Sequence, residues 1–287
     1  MTTTGHSRDK MTSEGRSGPR QSGDLALLPE NEDLDNDPQY MKSLGRALDV
    51  LRAFRAGDSL LGNSDLAERT GLPASTVSRI TYTLARCGFL QFNRRFRMYE
   101  LGAESFAVGQ VALANLDVRR LARPRLQQFA ASAGFNVGMA TRDRTSMIFT
   151  DAFESEALVG LRLFPGARLP IALSSIGRAY IAALPGDEYA EILTELEPRY
   201  ADWPRVAEGI ESAKAQVEEK GFCVSLGDWQ ENVYGVAAPI RTPFDGQLFA
   251  INIGGPSFML EEERLWTEFG PAIADIAREI EAMMAVS

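Results

Sequence analysis

"SDLAERTGLPASTVSRITYTLARCGFL", Ser64 to Leu90, decides how the rest of the chain is read. Ser64 is a good N-cap residue, Leu66 and Ala67 are apolar, and Gly71 suits the position just past a helix end, where left-handed backbone is needed. Pro73 falls in the first turn of the next helix, where its missing N–H costs nothing. A short helix, a turn of Gly71, Leu72 and Pro73, and a second helix make a helix-turn-helix. The second helix sorts into two faces. Val77, Ile80 and Leu84 are spaced to meet a core. Ser75, Arg79, Tyr82 and Arg86 share the opposite face, with Thr76 beside them in the first turn. Short donors near a helix N-terminus and longer donors one turn on are what docking in the DNA major groove requires.

Outward from this stretch the pattern continues. Upstream, "YMKSLGRALDVLRAF" puts Leu44, Ala47, Leu48, Leu51 and Phe54 on one side of a helix that Gly57 and Asp58 end. Downstream, "CGFLQF" and "MYELG" read as two strands around the basic turn "NRRFR", a wing whose Arg94, Arg95 and Arg97 can clamp phosphates or enter the minor groove. Charge agrees. Residues 42–102 hold ten Lys and Arg against five Asp and Glu, although the chain of 287 residues carries a formal charge of −9. A basic block between acidic regions points to an anionic partner for that block alone.

Residues 1–40 are polar, lack apolar periodicity and read as a disordered tail. "AESFAVGQVALANLDV" reads as a linker helix of about four turns. Beyond it, "FNVGMATRD" and "TSMIFTDAF" predict a strand pair and "LVGLRLF" another strand. "LSSIGRAYIAALP" predicts a helix ended by Pro185, and two more helices follow around 187–196 and 206–221. "GFCVSL", "VYGVAAPI" and "QLFAINI" return to strands, and a last helix runs from about Leu260 to Met284. Strands and helices mix without strict alternation, which predicts an α+β fold with a mainly antiparallel sheet.

Several classes are excluded by composition. No apolar run approaches the ~18 residues of a membrane span, and the N-terminus lacks the apolar core of a secretory signal. Two cysteines make no disulfide framework, and the one histidine, His6, lies in the tail. That removes a Ser-His-Asp triad from the folded body and most zinc chemistry. No cofactor or metal is expected, and the cytoplasm is the expected compartment. Cys223 reads as a buried thiol. Ser174 and Ser175 sit at a helix N-terminus after a loop carrying Arg168, a cradle suited to a carboxylate, or simply a serine cap. Arg162 and Arg168 can pair with an anion or with surface acids, and Trp229 can cover a pocket or anchor its own loop.

"LGRALDVLRAF", the Ser64–Leu90 stretch, "MYELG", "GRAYIAAL" and "VAAPI" together resemble the IclR family of bacterial transcriptional regulators, over about residues 42–284. The resemblance implies a winged helix-turn-helix over 41–102, a linker helix over 103–117, and a GAF-like effector-binding and oligomerisation domain over 118–287. It implies a homodimer or homotetramer on an operator of double-stranded DNA, most simply a repressor, answering to a small organic acid or aromatic metabolite. On the "LP" and "GRA" anchors the effector-contacting positions fall on Leu169, Ser175 and Ile176. On "AAPI" they fall on Val233 and Gly235, and further on Asn252 and Gly254. Asp228 matches a carboxylate common in the family and Ser225 a polar position before it, while Asn232 stands where the family has glycine. Two other readings compete: a C-terminal domain used only for oligomerisation, and a weak hydrolase pairing Ser174 or Ser175 with Asp228, which lacks the histidine that would serve as base.

Overall fold

The computed structural model describes residues 38–286 except 56, 156–162 and 244–245. The expected tail up to residue 37, Arg162 and most of the "LVGLRLF" strand lie outside the described residues.

At the N-terminal end, α1 (Lys42–Arg52), α2 (Asn63–Thr70) and α3 (Ala74–Arg86) precede the wing strands β1 (Leu90–Asn93) and β2 (Met98–Leu101). The strands pair antiparallel, Leu90 with Leu101 and Asn93 with Met98. Gly71, at φ +68, makes the left-handed turn between α2 and α3, as its position predicts. Val50, Ala53, Leu61, Leu66 and Val77 form the core, with Ile80 and Leu84 packed against it.

Three local expectations change here. The core face of α1 is Val50 with Ala53, while Leu44 and Leu48 are 54% and 41% exposed. Both stripes are apolar at helical spacing, so periodicity alone cannot choose between them; α2 and α3 pack on the Val50 side. Helix α1 also stops at Arg52, before Gly57. Asp58 serves α2 instead, taking hydrogen bonds from both terminal nitrogens of Arg69. Those bonds, with the Arg55 N–H, outweigh burial and hold the Asp58 carboxyl below its usual range. Finally, Ser64 lies inside α2: the N-cap is Gly62, whose N–H donates to Asp65 Oδ2 at 2.7 Å.

The linker helix is shorter than expected. Helix α4 spans Ala103–Ala114 and buries none of its residues. A break at Asn115 and Leu116 separates it from α5 (Asp117–Ala133), which the apolar spacing did not single out because Arg119, Arg120, Arg123, Pro124 and Arg125 interrupt it.

The C-terminal end is a six-stranded sheet in the order β5-β4-β3-β8-β7-β6, antiparallel at every pairing. Its strands are β3 (Val137–Asp143), β4 (Ser146–Phe153), β5 (Arg168–Pro170), β6 (Cys223–Leu226), β7 (Val233–Arg241) and β8 (Leu248–Pro256). The segment around Arg168, expected as a loop, forms the edge strand β5. On one face of the sheet lie α5 and the last helical segment. The latter runs as α9 (Glu262–Arg264), a π-turn over Leu265–Phe269 and α10 (Gly270–Val286). On the other lie α6 (Ser175–Ala182), α7 (Gly186–Leu196) and α8 (Trp203–Lys220). Alternation along the strands feeds both cores. Val236, Ala238, Ile251 and Ile253 face α5 and α10; Ala237, Ala250 and Cys223 face α6 and α8. A strand covered on both sides needs no polar face, which is why β8 reads as a nearly continuous apolar run. Asp151 on β4, 3% exposed, is held by Arg119 and Arg123 and pins α5 to the sheet.

Candidate functional site

Two surfaces carry the candidate residues. On α3, Ser75, Arg79, Tyr82 and Arg86 are exposed and Thr76 is half-buried. Tyr82 is 67% exposed, although large aromatics are normally covered. The helix is held from behind by Val77 and by Thr81, fully buried, whose hydroxyl donates to Asn63 Oδ1 at 3.1 Å and ties α3 to α2. Sequence spacing missed Thr81 because a buried threonine falls between the apolar and polar stripes. Arg94, Arg95 and Arg97 are exposed at the wing tip. The wing is braced by the strand-like bridge of Tyr99 to Leu61, with backbone bonds of 2.8 and 2.9 Å.

The second surface is a small cleft, partly open to solvent, between the N-terminus of α6 and strands β6 to β8. Ser174 caps α6: its hydroxyl donates to the Pro170 carbonyl at 2.7 Å and accepts from the Gly177 N–H. The next N–H groups, of Ser175 and Ile176, are those a helix start leaves without intrahelical partners. Gly235 faces Ser175 so closely that a Cβ there would lie 2.7 Å from the serine hydroxyl. Of the nine candidate effector positions, the structure brings Leu169, Ser175, Ser225, Val233, Gly235, Asn252 and Gly254 together around this cleft. Ser174, Trp229 and Tyr234 complete the lining.

Ile176 and Asp228 are placed otherwise. The Ile176 side chain is fully buried in the core between α6 and the sheet. Asp228 accepts from Arg178 Nη1 and from the Ser225 hydroxyl, both at 2.9 Å. Burial pushes its carboxyl up, but the Arg178 charge and hydrogen bond, with the bonds from Ser225 and the Leu226 N–H, win and hold it below its usual range. Arg178 itself is 4% exposed and also donates from Nε to the Ala172 carbonyl at 2.9 Å. The pair therefore fixes the loop after β6, which carries Trp229, to α6. Of the two readings for Arg168, the structure shows the surface pairing, with Asp143 at the sheet edge.

The Cys223 thiol is buried beneath the α6 start and pushed up to about 12 by that burial, so it is inert at neutral pH. Two residues that line the cleft each have a buried polar atom with no hydrogen-bond partner, Trp229 Nε1 and Asn252 Oδ1. Nearly all buried polar groups in proteins are paired. Among the described residues no cluster of His, Cys, Asp and Glu could hold a metal ion.

Two family models match the chain. The IclR helix-turn-helix domain covers residues 43–94, and the C-terminal domain of the bacterial transcriptional regulator IclR covers 110–282. The chain belongs to the IclR family. It is 30% identical to the HTH-type transcriptional regulator TsaQ1/TsaQ2 of Comamonas testosteroni, over 84% of this chain and 88% of that protein. A solved IclR-family transcriptional regulator from Brucella abortus is 37% identical and superimposes with a TM-score of 0.72, over 89% and 97% of the two chains. An IclR homologue from Microbacterium hydrocarbonoxydans, solved with 4-hydroxybenzoate, has the same fold at 21% identity, with a TM-score of 0.68 over 85% of this chain and all of that one.

IclR-family proteins are DNA-binding transcriptional regulators, not enzymes. Ser174 is committed to its cap, and Asp228 to Arg178 and Ser225. The helix-turn-helix implies DNA binding, and no helix among the described residues is long and apolar enough to cross a membrane.

Proposed function

We propose that this chain is a ligand-responsive repressor, acting in the cytoplasm as a homodimer or homotetramer. Residues 41–102 dock on operator DNA, 103–117 link, and 118–287 bind effector and oligomerise. Ser75, Thr76, Arg79 and Tyr82 read the major groove, and Arg94, Arg95 and Arg97 hold the flanking backbone. The exposed apolar side chains spread around α4, among them Phe106, Val108 and Val111, are available to a second copy.

The sensor half rests on one observation: the two partnerless buried polar atoms, Trp229 Nε1 and Asn252 Oδ1, belong to residues of a single cleft. Leaving such atoms unpaired costs about 1–3 kcal/mol each. A ligand that rearranges the cleft and pairs them recovers that energy. The Ser175 end, at a helix N-terminus, suits a carboxylate, and Leu169, Val233 and Trp229 suit an apolar or aromatic body. The effector is thus a small organic acid or aromatic metabolite, like the 4-hydroxybenzoate seen in the Microbacterium homologue. Its binding favours one spacing of the two recognition helices, and it acts only through its differential affinity for the two states.

The test is a thermal-shift screen of the full chain against small organic and aromatic acids, with every hit assayed for its effect on DNA affinity. A compound that stabilises the protein and changes DNA affinity supports the sensor. Stabilisers that leave DNA affinity untouched, or none across the panel, reduce the C-terminal domain to oligomerisation.

A further inference from the structure

The wing carries a side chain that phosphate neutralisation does not need. Phe96 sits between Arg95 and Arg97 at its tip and is 55% exposed. Its ring is part of no core cluster, and the Arg95 guanidinium lies 5.3 Å from the ring centroid. The tip is held in shape. Asn93 Oδ1 accepts from the N–H groups of Arg95 and Phe96, at 3.1 and 3.3 Å. Arg97 adopts φ +55, a conformation a residue with a Cβ keeps only where its surroundings hold it. Behind the tip, the rings of Phe92 and Tyr99 pack at a tilt across the strands with centroids 4.9 Å apart. The Phe96 ring is therefore presented on a braced ribbon, outside the residues 43–94 that match the helix-turn-helix model.

We propose that Phe96 is an apolar wedge that enters the DNA minor groove beside the recognition-helix site and partly unstacks one base step. An aromatic ring leaves water by sliding between base faces, and the duplex kinks to admit it. Arg94, Arg95 and Arg97 neutralise the phosphates that flank the opened step. The cost of opening depends on the step. Pyrimidine–purine steps unstack most easily, so Phe96 selects for deformability at a position where α3 touches no base. The proposal rests on α3 docking in the major groove.

The experiment is a selection of duplexes from a random-sequence library by the full chain, by Phe96→Leu and by Phe96→Ala. The wild-type and Phe96→Leu pools should share half-site bases and a TA or CA/TG step at a fixed offset outside them. The Phe96→Ala pool should keep the half-site bases and lose the step. Phe96→Ala should also bind the wild-type consensus about tenfold more weakly, with less bending by end-to-end fluorescence transfer. A Phe96→Ala pool with the same step, or a wild-type pool with half-sites and no step, overturns the wedge. A wild-type pool with no common half-site overturns the docking of α3 instead. Should Phe96→Ala melt early, 2-aminopurine placed along the wild-type consensus decides: brightening at one step on binding supports the wedge, and none overturns it.

Discussion

The two ends of this regulator place their functional groups on opposite sides of the hydrophobic boundary. The helix-turn-helix is held by five buried apolar side chains, and its candidate DNA contacts all stand outside that core. The sheet end is covered on both faces by large cores, and its cleft is built from polar groups inside them: Ser174, Ser175, Ser225 and Asn252 are each at most 6% exposed. A surface for DNA must be complete before the partner arrives, because phosphates and base edges are met by exposed donors. A site for a small molecule gains its selectivity from buried polar groups that the wrong ligand leaves unpaired.

The largest expected break in this contrast is Leu66→Ala. Removing a fully buried leucine from so small a core should cost about 2–5 kcal/mol. Calorimetry of the full chain should show the helix-turn-helix melting early and the sheet unchanged; joint movement would mean that the two ends unfold as one. Arg178→Met should do the reverse. Because Asp228 keeps part of its solvent, the loss should sit at the low end for a broken buried pair, about 3 kcal/mol, and fall on the sheet transition alone.

That pair also sets an acid dependence. The Asp228 carboxyl is lower in the folded chain than its unfolded value, near 3.9. Its contribution is therefore fully present above about pH 4 and is lost as pH falls through the folded value. Melting between pH 6 and 2 should show a larger acid loss in the wild type than in Arg178→Met, whose remaining loss comes from other lowered carboxyls such as Asp58.

Smaller effects sharpen the DNA side. Arg79→Ala should lose about 1–3 kcal/mol of discrimination between operator and mismatched duplexes in competition titrations. A uniform loss on every sequence would make Arg79 a phosphate contact. Arg95→Gln should lower the slope of log affinity against log salt by about 1. An unchanged slope would remove Arg95 from the interface.

Legibility followed the same division. Gly71, Pro73 and the two faces of α3 were readable because a surface helix writes its orientation into spacing of three and four. The α1 face was not, since Leu44–Leu48 and Val50–Ala53 are both apolar stripes and only packing against α2 and α3 selects one. In the cleft, Ser225 and Asn252 were placed only through family resemblance. Trp229 and Tyr234 gave no periodic signal of their own, and Ile176 and Asp228 matched family positions while facing the core and Arg178.

By itself the sequence determined the local elements: the turn at Gly71, the basic wing, the antiparallel strands and the helix start at Ser175. These depend on backbone preference and on hydrophobic period, which are properties of neighbouring residues. Only the tertiary structure decided which α1 stripe is buried, that Arg178 claims Asp228, and that Ser175, Trp229, Gly235 and Asn252 meet at one cleft. Those outcomes are contacts between residues tens of positions apart, set by how the sheet and α6 pack, and no local pattern encodes them.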